Sequence, residues 1–464
     1  MRSTRSQQGV TVHLTKRSGY ASRRPLLHHA LDRLIAGCVL GALSALSPAL
    51  AQTPGGDEPP PAQAEGALTL PDLLDSARAA NSEIRAADAR TESLGQRPIQ
   101  ERTLRDPMIG FRYHNEQLDR ITFSQSEFTF WEVAAEQEIP FPGKLGLRGE
   151  IAEKEADRER AMRDATVLTV LSNVAVSYYE LAAVDRSASI LRESTRTLEM
   201  IVRQTEARYR LGTAAQQDVL RASLELGGIQ ERLTVLDRER EAEEASLNAL
   251  LGRSAGEPLP RTVVFQEPRP LEPLTDLLAR LAQQSPALAA AQEEVSRSDA
   301  SLALAKRQYF PDFTVAAAYA NKGTLFPEWE VGVRMNIPLY FWRRQGPAVA
   351  ENAYAKTAAE HGRENLRVDL EGKLREFHAL AEASRRLVRL YDDTLIPQAS
   401  LTLQSALASY EVGSVDFLTT LNAFTALLEY QIRGAQEKSN VGKALAEIGP
   451  LVGETPLGEP LQRH

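Results

Sequence analysis

Two very long segments without helix breakers constrain the fold of this chain more than any other feature of its sequence. One segment ends at Gly212 and the other at Gly413. Each has on the order of 65 residues, which is about 100 Å as an α-helix. Only Pro397 interrupts them, and it is expected to kink the second. Because a globular fold has little use for such rods, the sequence predicts a mostly α architecture built on elongated helices.

Apolar residues in both segments follow the alternating four- and three-residue spacing of a coiled-coil seam. In the first segment the seam consists of Val167, Leu171, Val174, Tyr178 and Leu181. In the second it consists of Leu370, Leu374, Phe377, Ala381, Ser384, Val388, Tyr391 and Leu395, with one polar member. The spacing predicts that the long helices pack as coiled coils.

The middle of the chain contains the same motifs twice, in the same order. Ile139-Pro140-Phe141 matches Ile337-Pro338-Leu339, and Tyr209–Thr213 matches Tyr410–Ser414. We interpret this as an internal two-fold repeat, in which each unit is a helix, two strands, a very long helix, a tight turn and another helix. The predicted organisation is a signal peptide (1–51), a flexible linker (52–67), the first repeat (68–251), an inter-repeat linker (252–272), the second repeat (273–449) and a flexible C-terminal tail (450–464).

The predicted strands alternate apolar and polar residues. Trp131, Val133, Trp329, Val331, Val333 and Met335 form the apolar set, and Glu132, Glu136, Glu330 and Arg334 belong to the polar set. A half-buried soluble sheet and a transmembrane barrel both explain this pattern. Export of the chain and the equivalent positions of the two tryptophans favour the barrel. Four strands are too few to close one, since closure needs at least about eight, so several chains would have to combine.

The first residues of the chain have the order of a secretory signal. Arg23, Arg24 and Arg33 precede an apolar stretch over 34–46, and Ala49-Leu50-Ala51 offers a cleavage site. Ile35–Cys38 resembles a lipoprotein box, but most of the apolar stretch follows Cys38, so a lipid anchor is less favoured. Cys38 is the only cysteine, and the mature chain is therefore expected to lack disulfides, thiolate metal sites and cysteine nucleophiles.

Composition and the absence of chemical motifs exclude other classes of protein. The 464 residues include no apolar run of the roughly 20 residues that a spanning helix needs. The formal net charge of −8 argues against a nucleic-acid partner. Phosphate-binding, dinucleotide-binding and His-Glu-x-x-His motifs are absent, and the seven histidines are scattered. We therefore expect no enzyme activity, no cofactor and no metal site.

Taken together, the signal peptide, the doubled helix–hairpin–helix plan and the repeated Tyr-x-x-Gly turn resemble the TolC family of outer-membrane efflux proteins. The resemblance covers Leu68 to about Leu451. It implies a homotrimer in the bacterial outer membrane, in which three chains each give four strands to one 12-stranded transmembrane β-barrel and their helices form a coiled-coil α-barrel through the periplasm. It also implies a passive exit duct that docks a periplasmic adaptor protein and an inner-membrane efflux transporter.

The resemblance assigns roles to the two turns that end the long helices. Leu211, Gly212, Thr213, Val412, Gly413 and Ser414 would be the tips that dock the adaptor. Asp218, Tyr410 and Asp416 would lie at the periplasmic entrance. For the two aspartates, a simple interaction with the helix dipole remains an open alternative. Thr419, Asn422 and Val415 occupy positions that are charged in the family prototype, so its ion-pair latch is not carried over whole.

Two further alternatives concern the partner pump and the class of protein. Pro140–Leu145 resembles family members that serve heavy-metal pumps of the resistance–nodulation–division type, although a Pro/Gly corner between strand and helix explains the same residues. The alternative to the duct is a secreted periplasmic coiled-coil scaffold or adaptor without a barrel. The Trp-flanked strands favour the duct, because an adaptor has no need of an apolar outward strip.

Overall fold

A computed structural model describes residues 68–116, 120–123, 126–260 and 268–461 of the protein. The predicted signal peptide, the linker over 52–67 and the question of Cys38 lipidation lie outside these residues. Part of the predicted inter-repeat linker, 261–267, also lies outside them.

Both halves of the described chain contain short helices, then two strands, then a long helical segment and a further helix. The first half contains α1 (Leu70–Ala80), α2 (Ser82–Gly95), α3 (Arg97–Arg102), β1 (Met108–His114), β2 (Phe130–Ile139), α4 (Lys144–Arg210) and α5 (Gln216–Leu250). The second contains α6 (Leu274–Gln284), α7 (Pro286–Arg307), β3 (Asp312–Asn321), β4 (Glu328–Asn336), α8 (Gln345–Leu390), a π-helical turn (Tyr391–Leu395), α9 (Ile396–Glu411) and α10 (Phe417–Val452).

The longest helix, α4, has 67 residues and forms because its coiled-coil seam is buried. Each of the five predicted seam residues in α4 is at most 2% exposed. By length and composition α4 also contains an 18-residue stretch apolar enough to cross a membrane, but 72% of that stretch is buried inside the protein. This stretch is therefore core: α4 packs along α7, α10 and α5.

The second long segment is helical throughout but changes its hydrogen bonding before Pro397. The helices α8 and α9 have 46 and 16 residues, and a π-helical turn of 5 residues joins them. Proline has no N–H and its ring collides with the carbonyl four residues earlier, here that of Asp393. The wider π turn accommodates this conflict without ending the helix.

The four strands form one antiparallel sheet in the order β1-β2-β3-β4. Strands β2 and β3, which come from different halves of the chain, are neighbours. In their register Ile139 lies opposite Phe313 and Trp131 lies opposite Asn321. The predicted starting points of the strands near Ile109 and Phe313 are each within one residue of the observed ones.

The predicted boundary at residue 449 and the flexible tail after it are wrong. Helix α10 continues to Val452 with Pro450 inside it. Pro450 cannot donate to the carbonyl of Ala446, but the buried hydroxyl of Ser172 donates to that carbonyl at 2.9 Å. Beyond the helix, Glu454 is 5% exposed and its carboxylate forms ion pairs with Arg269 and Arg280. These contacts hold the segment up to residue 461 against the helices.

Candidate channel and docking surfaces

The sheet separates apolar from polar side chains across all four strands. Val133 lies opposite Tyr319, which lies opposite Trp329, and Met335 lies opposite Phe313. Because directly paired residues share a face, one face carries all six predicted apolar residues: Trp131, Val133, Trp329, Val331, Val333 and Met335. On β4 these side chains are 55 to 78% exposed. The protein thus leaves a continuous apolar sheet face without cover from the described chain.

The opposite face of the sheet is charged. It carries the four predicted polar residues Glu132, Glu136, Glu330 and Arg334. Arg112 pairs with Glu132 on the neighbouring strand, 3.4 Å between nitrogen and oxygen. Arg334 reaches across β3 to Glu136 at 2.6 Å, above the small side chain of Ala316 that lies opposite Glu136. A face of this kind suits contact with water.

Aromatic residues lie at both ends of the sheet. At one end Trp131 packs against Tyr319, with 5.9 Å between ring centroids. At the other end Phe141 stacks on Phe310 at 4.6 Å. Exposed Tyr340, Phe341 and Trp342 follow β4 at that same end. Only the first band is predictable from the sequence, because residues of the second band lie in corners where no strand alternation indicates the direction of a side chain.

The corner between β2 and α4 contains an ion pair between a buried lysine and a partly exposed aspartate, and this pair joins the two halves of the chain. The Lys144 side chain is 2% exposed. Its ammonium group donates to the Asp312 carboxylate and to the carbonyl of Phe310, both at 2.8 Å. The same Asp312 oxygen accepts the N–H of Phe141 at 2.7 Å. No local sequence pattern predicts this pair, because its members are 168 residues apart.

The two predicted tips have the same backbone structure. Gly212 and Gly413 have φ of +72° and +78°, a region that glycine enters without strain. At both turns, the residue after the glycine donates from its N–H and its hydroxyl to the carbonyl five residues earlier. These residues are Thr213 and Ser414. The preceding Leu211 and Val412 are 79% and 81% exposed. Each turn therefore presents one apolar side chain to its surroundings.

A contact around Tyr410 joins the two tips. Tyr410 is buried, and its hydroxyl donates to the Thr205 hydroxyl oxygen at 3.3 Å. The Arg208 guanidinium lies over the Tyr410 ring, 4.5 Å from the centroid, and also donates to the Tyr410 carbonyl. Neither Arg208 nor Thr205 carries a sequence signal for this role, because both belong to the other half of the chain.

The two aspartates after the turns have different local roles. Asp416 caps α10 by accepting the Thr419 N–H at 2.9 Å. Hydrogen bonds from the Thr419 hydroxyl and N–H hold the pKa of the Asp416 carboxyl below its ordinary value. Asp218 lies in the first turn of α5, where Ala215 is the capping position and makes no side-chain bond. Both aspartates therefore lie at helix N-termini, but only Asp416 is the capping residue with a side-chain hydrogen bond.

The part of the chain that the structure describes holds no group of three histidine, cysteine or acidic residues placed to bind a metal ion. Comparison with known proteins identifies the family to which a chain with this fold and these surfaces belongs. A model of the outer membrane efflux protein family matches residues 73–253 and 277–454.

The chain belongs to this family. The outer membrane efflux protein described here is therefore an outer-membrane channel protein that extends into the periplasm. It is 21% identical to the pyoverdine export outer membrane protein OpmQ of Pseudomonas putida, over 72% of each chain. It is 24% identical to the cobalt-zinc-cadmium resistance protein CzcC of Cupriavidus metallidurans, over 85% of this chain and 92% of that one.

Solved structures of the same fold cover most of this efflux protein. The outer membrane protein VceC of Vibrio cholerae superposes with a TM-score of 0.70 at 19% identity, over 83% of this chain and 96% of that one. A structure of CusC superposes with a TM-score of 0.72 at 16% identity, over 83% and 92%. At these identities the likeness establishes the fold and no further property.

Proposed function

We propose that this efflux protein is a passive exit duct and not an enzyme, and that it works as a homotrimer. Three chains each contribute four strands to a 12-stranded transmembrane β-barrel, and their long helices form an α-barrel through the periplasm. The observation that carries the proposal is the open four-stranded sheet with one exposed apolar face and one charged face. Four strands cannot close, and an apolar face of this extent needs lipid against it.

In this trimer the six apolar sheet residues form the lipid face, and Glu132, Glu136, Glu330 and Arg334 line the lumen. The two aromatic bands then occupy the two membrane interfaces, where aromatic rings are enriched. The corresponding order of elements in the two halves supports an internal two-fold repeat. Such a repeat allows the two halves of each chain to occupy quasi-equivalent positions in the wall of one barrel.

We propose that the two tips dock a periplasmic adaptor protein, which links the duct to an inner-membrane efflux transporter. Support comes from the duplicated turn geometry and from the exposed Leu211 and Val412, which give each tip an apolar contact point. Asp218 and Tyr410 lie in the helices next to these turns, and Asp416 is the capping residue just before α10. We assign them to the periplasmic entrance.

The assembly is tested by measuring the mass of the protein extracted from outer membranes in detergent. We expect a particle of three mature chains that conducts ions in planar bilayers. Recovery of the protein in the soluble periplasm, or a monomer that still conducts, would contradict the duct. The first outcome would instead identify a secreted scaffold without a barrel.

We propose metal cations as the cargo. The match to CzcC, named for cobalt-zinc-cadmium resistance, extends over more of both chains than the match to OpmQ. Deleting the protein should therefore lower the growth-inhibitory concentrations of zinc, cobalt and cadmium. If tolerance to all three metals is unchanged while tolerance to organic compounds falls, the cargo proposal is wrong and the duct proposal stands.

A further inference from the structure

Strands β1 and β4 are the two edges of the sheet, and the described chain pairs neither outer edge. Unpaired backbone N–H and C=O groups are especially costly in a lipid environment. Neighbouring strands in this sheet are antiparallel, so β4 runs in the direction that pairs it antiparallel with β1 of a second copy. The inference below rests on the proposed trimer and concerns how its copies join.

The junction of β2 and β3 shows how the two halves of one chain are joined. Gln137 lies opposite Val315, and Ile139 lies opposite Phe313. At the helical end of this junction, the buried ammonium of Lys144 contacts the Asp312 carboxylate. A register in the strands and an ion pair in the corner therefore hold the halves together.

The sequence correspondence between the halves predicts how two subunits join, by analogy with the junction of β2 and β3. Ile139 at the end of β2 corresponds to Ile337 after β4, and Pro311 before β3 corresponds to Pro107 before β1. We infer that β4 pairs with β1 of the partner subunit in the register that places Met335 opposite Phe111 of the partner subunit. We also infer that Arg343 and Arg344 bind Asp106 of the partner subunit, in place of the internal Lys144–Asp312 pair.

The side chains at the proposed junction fit this arrangement. Asp106, Arg343 and Arg344 are all exposed, and the described residues form no ion pair with them. Met108 stands where the internal junction has Asp312, so the acidic group before β1 is Asp106 instead. The corner after β4 is longer than the corner after β2. Its arginines can therefore extend to Asp106, which lies two residues before the position that corresponds to Asp312.

The inferred register is compatible with the charges on the polar face. It keeps apolar residues together, with Val333 opposite Tyr113 of the partner subunit. On the polar face it brings Arg334 opposite Arg112 of the partner subunit, and like charges in this position repel. Within one chain, Glu136 and Glu132 already neutralise Arg334 and Arg112. The two glutamates therefore make the close approach of the two arginines tolerable.

Cysteine cross-linking in a Cys38→Ser background tests the register, because no other cysteine is present. Directly opposite Cβ atoms are about 4.5–5.5 Å apart, close to what a disulfide needs, and diagonal neighbours are about 7–8 Å apart. Oxidation of the Met335→Cys/Phe111→Cys protein in membranes should give covalent dimers and trimers on non-reducing gels. The matched pairs Met335→Cys/Ile109→Cys and Met335→Cys/Tyr113→Cys should give little product.

Charge reversal tests the ion pair independently. Asp106→Arg alone and Arg343→Asp/Arg344→Asp alone should each lower the temperature at which the trimer dissociates in detergent. The combined protein should recover most of that loss, which a purely structural role of either corner would not produce. Absence of recovery overturns the ion pair. Trimers that cross-link only through a shifted cysteine pair overturn the register, whereas the absence of trimers overturns the proposed function itself.

Discussion

At the residue scale, glycines decide where helices approach closely. Gly442 of α10 lies against the ring of Tyr179 in α4, and a Cβ built on Gly442 would be 2.5 Å from a ring carbon. Near this point the Ser439 hydroxyl donates to the Tyr179 carbonyl at 2.8 Å. Gly442 therefore allows two long helices to pack closely, and it does not interrupt α10.

We expect Gly442→Ala to destabilise the protein. The gain in helix propensity is about 1 kcal/mol, but overpacking a buried contact costs about 1–3 kcal/mol. The Tyr179 ring is buried and has little room to move. Thermal unfolding followed by circular dichroism measures the effect. Gly372→Ala is the matched control, because nothing lies within 4 Å of its Cβ, and it should stabilise the protein. Equal stabilisation by both variants would contradict the packing argument.

The tip glycines give a second prediction at this scale. Gly413→Val places a β-branched residue at φ of +78° and should distort the proposed docking surface without affecting the barrel. We expect normal amounts of trimer in the outer membrane but loss of efflux-dependent resistance. Gly413→Asn is the control, because asparagine tolerates this backbone region, and it should retain resistance. Full resistance with Gly413→Val would place adaptor docking elsewhere.

At the element scale, Asp416 at the beginning of α10 allows the effect of helix capping to be measured separately from the effect of its charge. Asparagine caps helices as well as aspartate does, so Asp416→Asn keeps the cap and removes the charge. The lowered pKa means that the carboxylate stabilises the folded state above its ordinary pKa. That contribution is lost as the pH falls through the lowered pKa, below about pH 4. Asp416→Asn should remove this acid-dependent step in thermal unfolding.

The same variant tests the entrance by single-channel recording. In a trimer Asp416 and Asp218 would each form a ring of three carboxylates, and rings of like charge attract cations. We expect Asp218→Asn and Asp416→Asn to reduce cation selectivity and block by divalent ions. If neither variant changes selectivity, the aspartates act only at the helix ends.

Another prediction at the element scale concerns the contact between the tips. Tyr410→Phe removes the hydrogen bond to Thr205, worth about 0.5–1.5 kcal/mol, but leaves Arg208 over the ring. Arg208→Ala removes both the ring contact and the bond to the Tyr410 carbonyl. We therefore expect the resting conductance to rise slightly in Tyr410→Phe and more in Arg208→Ala. The reverse order would show that the hydroxyl, not the guanidinium, holds the tips together.

At the scale of the whole molecule, the proposed barrel requires the apolar face of the sheet to meet lipid and the charged face to meet water. An arginine at Val333 would lie in the lipid-facing band, at a cost of roughly 2–4 kcal/mol near the membrane centre. Val333→Arg should therefore reduce the amount of folded trimer in outer membranes. Arg334→Ala, one residue away on the polar face, should leave assembly intact and change ion selectivity. Normal insertion of Val333→Arg together with failure of Arg334→Ala would show that the two faces are reversed.

The sequence alone determined those features that depend on local periodicity. Alternation over 329–336 identified the two faces of β4, and four-three spacing from Val167 to Leu181 identified the buried seam of α4. The positions of Gly212 and Gly413 identified both reversals of the chain. Such patterns are readable because neighbouring residues in a strand or helix have fixed relative directions, whatever the rest of the chain does.

Only the tertiary structure decided which distant residues meet. It brought Lys144 to Asp312, Ser172 to the carbonyl of Ala446, and Arg208 to Tyr410. The sequence treated Pro450 as the start of a loose tail, because proline usually ends a helix and the compensating hydroxyl lies in another helix. Contacts of this kind follow from how whole elements pack, and no local pattern encodes the packing partner of a single side chain.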